Sequence, residues 1–189
     1  MLWVQPIAFA GFSALAISLS GPALFADGKL AGFGNIPFGT DYDVTKRAKG
    51  IEVREDACAS VLCQLVYRTT VSDLPVTVWQ SFTERHAAEV EVQVRGTGEQ
   101  RRFPTASRCD ATYNRVYVML LDKYGQPDVP VLSRTEPGPT ATTIYVREVT
   151  FTFTDGAQVR QKRDLTEDGT CAVRVFYRPA STSAGDATF

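Results

Sequence analysis

AEVEVQVR, at residues 88–95, alternates small or apolar residues with polar ones. This alternation is typical of an antiparallel strand with one buried face and one solvated face. Residues 75–83 before it also have the composition of a strand, and the four residues from Glu84 to Ala87 read as the turn between the two. The stretch therefore predicts a β-hairpin inside an antiparallel sheet.

Strand composition recurs on both sides of this hairpin. Segments rich in β-branched and aromatic residues lie at 62–71, 143–154, 159–165 and 171–178. Asp155-Gly156 is a strong hairpin turn between two of them. Together with the first hairpin, these segments predict six strands.

Two helices are predicted between the strands. In residues 107–124 the apolar side chains follow the spacing of an amphipathic helix, which Ser107 with Asp110 would begin and Gly125 with Pro127 would end. A short helix is predicted at 41–48, where Thr40 with Asp43 forms a weak capping box. Pro, Gly, Ser and Thr residues from 126 to 140 predict a loop.

The resulting element order predicts an α+β fold with an α-βββ-α-βββ pseudo-repeat. The simplest arrangement is one curved antiparallel sheet of about six strands with both helices on one face. A short internal similarity supports the repeat, because Phe82-Thr83-Glu84 resembles Phe153-Thr154-Asp155. We expect a single domain at 27–179 and a disordered tail at 180–189.

The first 26 residues contain no Asp, Glu, Lys or Arg. Their apolar stretch at 7–19 is followed by a helix-breaking Ser20-Gly21-Pro22 and then by Ala26, which is typical of a secretory signal peptide. An uncleaved membrane anchor is the alternative, although a span needs roughly 20 apolar residues. We therefore expect a periplasmic or secreted protein with no membrane span after cleavage.

Four cysteines follow this leader: Cys58, Cys63, Cys109 and Cys171. An even number of cysteines in an exported chain predicts two disulfides, for which three pairings are open. We favour Cys58–Cys63, which closes a short loop, and Cys109–Cys171, which closes a long one. The chain has no Cys-x-x-Cys motif, and its one histidine is far from the cysteines in sequence, so no metal site is predicted.

Two motifs and the element order resemble a known family. FGNIPFGT at 33–40, ahead of the first helix, and LLDKYGQP at 120–127, at the end of the second, resemble segments of small bacterial envelope proteins. The element order is similar to the tandem unit of the β-lactamase inhibitor protein and related envelope modules. This resemblance implies a secreted bacterial binding module with a concave sheet face, and it assigns no functional residue.

The sequence shows no recognisable catalytic constellation. His86, the only histidine, lies in the expected hairpin turn, where an exposed turn residue is the simpler interpretation than a triad base. Gly96-Thr97-Gly98 lacks the lysine and helix of a phosphate-binding loop. The net charge of −1 gives no general attraction to nucleic acid. We therefore predict no enzyme activity, no cofactor and no nucleic-acid partner.

The face of the sheet away from the helices carries the candidate binding residues. If Val173 and Val175 point into the core, the residues alternating with them point away. The internal repeat places a tryptophan on the same outward surface. Tryptophan and arginine are favoured at protein interfaces, so four residues are predicted to bind another protein: Trp79, Arg174, Phe176 and Arg178.

Two alternatives to this binding surface remain open. Loops or the tail could cover the aromatic residues, or a β-bulge could bury Trp79. The basic residues could form a patch for an acidic partner, or they could be a solvated strand face balanced by Glu89 and Glu91. Besides Arg174 and Arg178, the basic residues concerned are Arg101, Arg102, Arg160, Lys162 and Arg163.

The leading functional hypothesis is a non-enzymatic protein of the bacterial envelope that binds another protein through its open sheet face, with inhibition of that protein as one form of the binding. One alternative is an envelope hydrolase that uses a pair of carboxylates, although no particular pair stands out. Another is an assembly factor of an envelope complex.

Overall fold

A computed structural model describes residues 30–59, 61–96, 102–138 and 142–180. The expected leader and nearly all of the expected tail, from residue 181, lie outside the described residues. The strands and helices follow in this order: β1 (Gly32–Phe33), β2 (Ile36–Pro37), α1 (Tyr42–Lys46), β3 (Glu52–Ala59), β4 (Leu62–Val71), β5 (Leu74–Thr83), β6 (His86–Val94), α2 (Ala106–Tyr124), β7 (Val129–Pro137), β8 (Thr143–Thr152), β9 (Gln158–Thr166) and β10 (Cys171–Arg178).

Strands β3 to β10 form one antiparallel sheet of eight strands in the order β3-β4-β5-β6-β10-β9-β8-β7. Two four-stranded meanders therefore meet where β6 pairs with β10, and Val92 faces Val175 across that junction. The sheet is open, with β3 and β7 as its edges. β1 and β2 pair separately as a short ribbon.

The prediction of six strands was wrong, because both edge strands are additional. β3 reads EVREDACA, and every one of its residues is exposed, so it lacks the alternation that marks a half-buried strand. β7 lies in the segment that was predicted to be a loop. Its prolines are tolerated at a sheet edge, where the missing N–H faces solvent. Pairing with an inner neighbour, rather than local sequence preference, forms both strands.

The repeat is α-ββββ-α-ββββ rather than α-βββ-α-βββ. Since the strand order is symmetric about the β6–β10 junction, the β5–β6 hairpin corresponds to the β9–β10 hairpin. The local similarity between residues 82–84 and 153–155 aligned it with the β8–β9 hairpin instead. That similarity marks only that each segment lies at the end of a strand before a turn.

Both helices pack on the same face of the sheet, as predicted. Helix α2 buries Tyr113, Val116 and Leu120 on the valines of the central strands. Tyr42 of α1 packs edge to face on Phe82, with 5.1 Å between the ring centroids. A buried aliphatic or aromatic side chain contributes roughly 1.5–3 kcal/mol by leaving water, so this face supplies the main core.

The helix caps differ in part from the predicted ones. Thr105 caps α2 by accepting a hydrogen bond from the N–H of Arg108, and Asp41 caps α1 by accepting from the N–H of Asp43. Each cap thus lies close to the predicted Ser107 or Thr40. Gly125 ends α2 as expected, with a φ of 77° that favours glycine.

The two disulfides have the pairing that was favoured from the sequence. Cys109–Cys171 links α2 to β10, with 6.0 Å between the Cα atoms. Cys58–Cys63 joins two residues that face each other on β3 and β4, with 4.0 Å between the Cα atoms. Within the described ranges, no helix is long and apolar enough to cross a membrane.

Candidate protein-binding face

The side of the sheet away from the helices, which we call the open face, is lined by the residues that alternate with the core residues along each strand. On the four central strands these are Thr77, Trp79 and Ser81; Glu89, Glu91 and Gln93; Arg174, Phe176 and Arg178; and Arg160, Lys162 and Asp164. Towards the β7 edge they include Glu148, Arg134 and Glu136. All four candidate binding residues therefore lie on this face.

A row of side chains crosses the middle of the open face. Trp79 lies opposite Glu91, Glu91 lies opposite Phe176, and Phe176 lies opposite Arg160. All four residues are half-buried. The bulge between β5 and β6 falls at Ser81 and Phe82, nearer the turn, so Trp79 keeps its place on this face. We call these four residues the aromatic row.

Phe176 lies between two guanidinium groups. The centre of the Arg160 guanidinium is 4.8 Å from the ring centroid of Phe176, and that of Arg174 is 5.8 Å away. Both distances suit a cation–π contact, which contributes roughly 0.5–1 kcal/mol at an exposed site. Among the described residues, Arg160 makes this ring contact and no ion pair.

A network of ion pairs fills the rest of the open face between β6 and β7. Arg174 binds Asp164, and its other terminal nitrogen lies 3.3 Å from Glu91. Lys162 lies 3.3 Å from Asp164 and 3.0 Å from Glu136. Arg134 continues the chain of contacts to Glu136, at 2.7 Å, and to Glu148, at 3.4 Å. Each basic group of this network thus binds two carboxylates.

Pairing shifts the pKa of both acidic and basic groups in the network. Hydrogen bonds from Lys162 and then Arg134 lower the pKa of the Glu136 carboxyl below its usual value. Burial alone would lower the pKa of Arg174, but its hydrogen bond to Asp164 and the charges of Asp164 and Glu91 raise it. Pairing of this kind is what permits Asp164 and Glu148 to be buried at 9% exposure each.

The two candidate arginines are paired inside the chain. Arg178 donates two hydrogen bonds to Glu89, at 3.0 and 2.9 Å, and Arg174 contacts Glu91. These are the two glutamates that the sequence offered as a balance for the basic residues. Arg178 and Glu89 are both exposed enough for solvent to screen the pair.

The rest of the predicted basic group is divided between the two faces. Arg163 points to the helix side, where it binds Asp110 of α2. Arg160 and Lys162 are on the open face, Arg102 is exposed outside the sheet, and Arg101 lies outside the described residues. The described members of the group therefore form no continuous basic patch, and Arg160, like Arg174, stacks on the ring of Phe176.

Apart from Glu91, the acidic residues of the network were missed from the sequence, and so was Arg134. Arg134 and Glu136 lie in the segment that was predicted to be a loop. Asp164 and Glu148 alternate with buried residues on strands whose pairing order was not predicted. The sequence does contain a signal for these ion pairs, the opposite charges of Glu148, Lys162 and Asp164. It can be recognised only when β8 and β9 are known to be neighbours, because Glu148 then lies opposite Lys162.

Two carboxyl groups of the described residues, Glu136 and Asp168, have a lowered pKa. Glu136 accepts hydrogen bonds from Lys162 and Arg134, which favour its charged form. The pKa of Asp168 is lowered to about 2 by hydrogen bonds. The largest effect comes from the hydroxyl of Thr166, followed by the N–H and the hydroxyl of Thr170. A general acid needs the opposite shift, towards neutral pH.

His86 is exposed, as expected, at the first residue of β6. Its Nδ1 lies 2.9 Å from the backbone oxygen of Gly39. In the described ranges, no three His, Cys, Asp or Glu side chains are grouped so that they could hold a metal ion.

Comparison of the chain with protein-family models, with curated proteins and with solved structures found no match.

Proposed function

We propose that this chain is a non-enzymatic protein of the bacterial envelope that binds another protein through its open face. The aromatic row carries the proposal, because it sets two large rings and an arginine that has no ion pair among the described residues on a surface of otherwise balanced charges. Half-buried tryptophan, phenylalanine and arginine side chains are the kind that dominate interface energies. Inhibition of the bound protein is included in the proposal, in keeping with the family resemblance.

The surroundings of the aromatic row favour a preorganised surface. The ion pairs around Arg174 and Lys162 hold long side chains that would otherwise lose rotamer freedom on binding. Each strand of the row is also paired on both sides. A partner therefore meets side chains already in place, and its binding requires little ordering of this chain.

The two arginines named from the sequence have different parts in this proposal. Arg174 supports Phe176 from one side and neutralises Asp164. Arg178 is at the rim, where its exposed pair with Glu89 affects association rate and salt dependence more than affinity. The binding energy is assigned to Trp79, Phe176 and Arg160.

The test is quantitative capture from envelope extract of the producing organism with immobilised protein, followed by mass spectrometry. Trp79→Ala and Phe176→Ala each remove a ring from the row, and we expect each to reduce the captured partner at least about tenfold, the loss typical of a hot spot. Tyr145→Ala is the matched control, because Tyr145 is an exposed aromatic residue on the opposite face of β8.

Folding of each variant is checked by near-ultraviolet circular dichroism and by its thermal midpoint. The proposal fails if the two row variants retain full capture while folded, or if Tyr145→Ala abolishes capture as they do. A hydrolase would instead be indicated by substrate turnover that is lost when Glu136 or Glu148 is changed.

A further inference from the structure

The two disulfides differ sharply in their surroundings. Cys109 and Cys171 are both buried in the core, between α2 and β10. In Cys58–Cys63, by contrast, Cys58 is exposed while Cys63 is buried. Access to the sulfur is a main determinant of thiol–disulfide exchange, and structural disulfides are protected by burial. One of the two bridges is therefore open to an external thiol.

The exposed bridge fastens an edge strand that has little else to hold it. Every residue of β3 is exposed, so burial contributes little to keeping the strand in place. Besides its backbone pairing with β4, β3 has one side-chain link to the helix layer within the described part of the chain, the ion pair of Asp56 with Lys46, which is itself exposed. Cys58–Cys63 closes the far end of this pairing, next to the β3–β4 turn.

A cation lies beside the exposed sulfur. Nη1 of Arg85, in the β5–β6 turn, is 3.8 Å from Sγ of Cys58. Asp43 of α1 holds the same guanidinium at 2.6 Å, and Asp41 lies 3.9 Å from its Nε. Arg85 is thus fixed by two carboxylates with its third edge towards Cys58. A nearby guanidinium attracts an incoming thiolate and stabilises a thiolate formed on Cys58.

We propose that Cys58–Cys63 is a thiol-exchange site that accepts low-molecular-weight thiols at Cys58, while Cys109–Cys171 remains intact. This modification site is independent of the open face and of the protein-binding proposal. Its consequence is local: opening the bridge releases the end of β3 that lies next to the turn and leaves the core unchanged.

The exchange is balanced as follows. An external thiolate attacks Sγ of Cys58, a new sulfur–sulfur bond forms to Cys58, and the bond to Cys63 breaks with Cys63 leaving as the thiolate. A second external thiol then attacks the sulfur of the first, which gives the oxidised external disulfide and a Cys58 thiolate beside Arg85. Two electrons pass from the external thiols to the bridge, and Cys63 takes up a proton from water.

Reduced glutathione is the probe. The purified protein is incubated with it, free thiols are trapped by alkylation, and the peptides are mapped by mass spectrometry. We expect glutathione on Cys58 and opening of Cys58–Cys63 at least about a hundredfold faster than opening of Cys109–Cys171. Equal rates for the two bridges, glutathione only on Cys63, or no reaction under conditions that reduce an exposed model disulfide would each overturn the proposal.

The part assigned to Arg85 has its own test. Arg85 has a positive φ of 67°, which asparagine also accepts, so Arg85→Asn removes the charge without straining the turn. We expect this change to slow modification of Cys58 about fivefold, the effect of one charge at about 4 Å in water. Arg85→Lys should restore the rate, and Arg115→Gln, a distant control on α2, should leave it unchanged.

Hydrogen exchange measures the structural consequence. After selective reduction, the amides of β3 should exchange faster while those of β10 keep their protection. Faster exchange throughout the sheet would show that the bridge stabilises the whole fold, and unchanged β3 would show that it fastens nothing. Either result would contradict the inference.

Discussion

At the scale of single residues, the interior contains polar side chains that make specific hydrogen bonds. The hydroxyl of Tyr67 donates to Oε1 of Gln80, at 3.1 Å, and both residues are almost fully buried. Nε2 of Gln161 donates to the backbone oxygen of Tyr113, at 2.7 Å, and so links β9 to α2. A buried acceptor that loses its donor costs more than a typical hydrogen bond contributes.

The Tyr67–Gln80 pair gives a residue-scale prediction. Tyr67→Phe removes the donor and leaves Gln80 buried with an unsatisfied acceptor, so the free energy of unfolding should fall by about 1–3 kcal/mol. Urea denaturation measures the change. Tyr145→Phe is the control, since Tyr145 is exposed. Equal stability of Tyr67→Phe and the parent protein would show that the buried pair contributes nothing.

The positions of the two aromatic residues of the candidate site, on the open face, could be predicted from the sequence. Strict alternation on β10 gave the outward position of Phe176, because Val173, Val175 and Tyr177 on either side are strongly apolar. The outward position of Trp79 was also correct, although the repeat used to derive it aligned the wrong hairpins. The stacking of Arg160 on Phe176 could not be predicted, since it depends on the register between β9 and β10.

At the scale of elements, inner strands and the long helix were predictable and the edges were not. Helix α2 and strands β4 and β10 carry periodic apolar residues, because each buries a face. β3 buries no side chain, and β7 is held by its pairing with β8. Apolar periodicity in the sequence reflects burial of one face, so strands that bury few side chains show little of it.

The two disulfides should contribute differently to stability. By the chain-entropy model, a loop of 62 residues gives about 4 kcal/mol and a loop of 5 residues about 2 kcal/mol. Replacing Cys109 and Cys171 together by alanine should therefore lower the free energy of unfolding by roughly twice as much as replacing Cys58 and Cys63. Chemical denaturation of both double variants measures this, and a larger loss for the exposed bridge would contradict the assignment.

The β4–β5 turn gives a second element-scale prediction. Ser72 and Asp73 both have positive φ, of 46° and 68°, as a two-residue type I′ turn requires. Asn-Gly is the pair best suited to this conformation, so Ser72→Asn with Asp73→Gly should raise stability by about 1 kcal/mol. The thermal midpoint is the measurement. Gly125→Ala, which places an alanine at a φ of 77°, should have the opposite effect.

At the scale of the whole molecule, the two faces of the sheet differ in chemistry. The helix side buries valines and aromatic rings, and the open face carries ion pairs that extend from β6 to β7 around the aromatic row. The helix side therefore contains most of the hydrophobic core, and the open face exposes charged and aromatic side chains to solvent. Buried tyrosines on the helix side make the fold sensitive to alkaline pH.

Stability should fall above pH 10. Burial raises the pKa of Tyr113 and of Tyr177 to about 12, and it also raises the pKa of Tyr67 and Tyr124. Because the folded-state pKa is raised, this stability is complete below pH 10 and is lost as pH rises through 12. At pH 11 the loss is on the order of 1 kcal/mol for each tyrosine. Denaturation midpoints at pH 8 and pH 11, with tyrosinate absorbance, measure it.

A stability that does not change between pH 8 and pH 11 would contradict the burial of these phenols. Tyrosinate absorbance that appears in the folded protein near pH 10 with the amplitude of all seven tyrosines would do the same.

The most direct test of the open face as a binding surface is site-specific photocrosslinking in the producing cells. A photoreactive phenylalanine analogue is placed at Trp79 or Phe176 on the open face, and at Tyr145 or Val118 on exposed positions elsewhere. We predict one protein adduct of defined mass from the first two positions and none from the other two. Adducts from Tyr145 or Val118 alone, or no adduct from any position, would contradict the account.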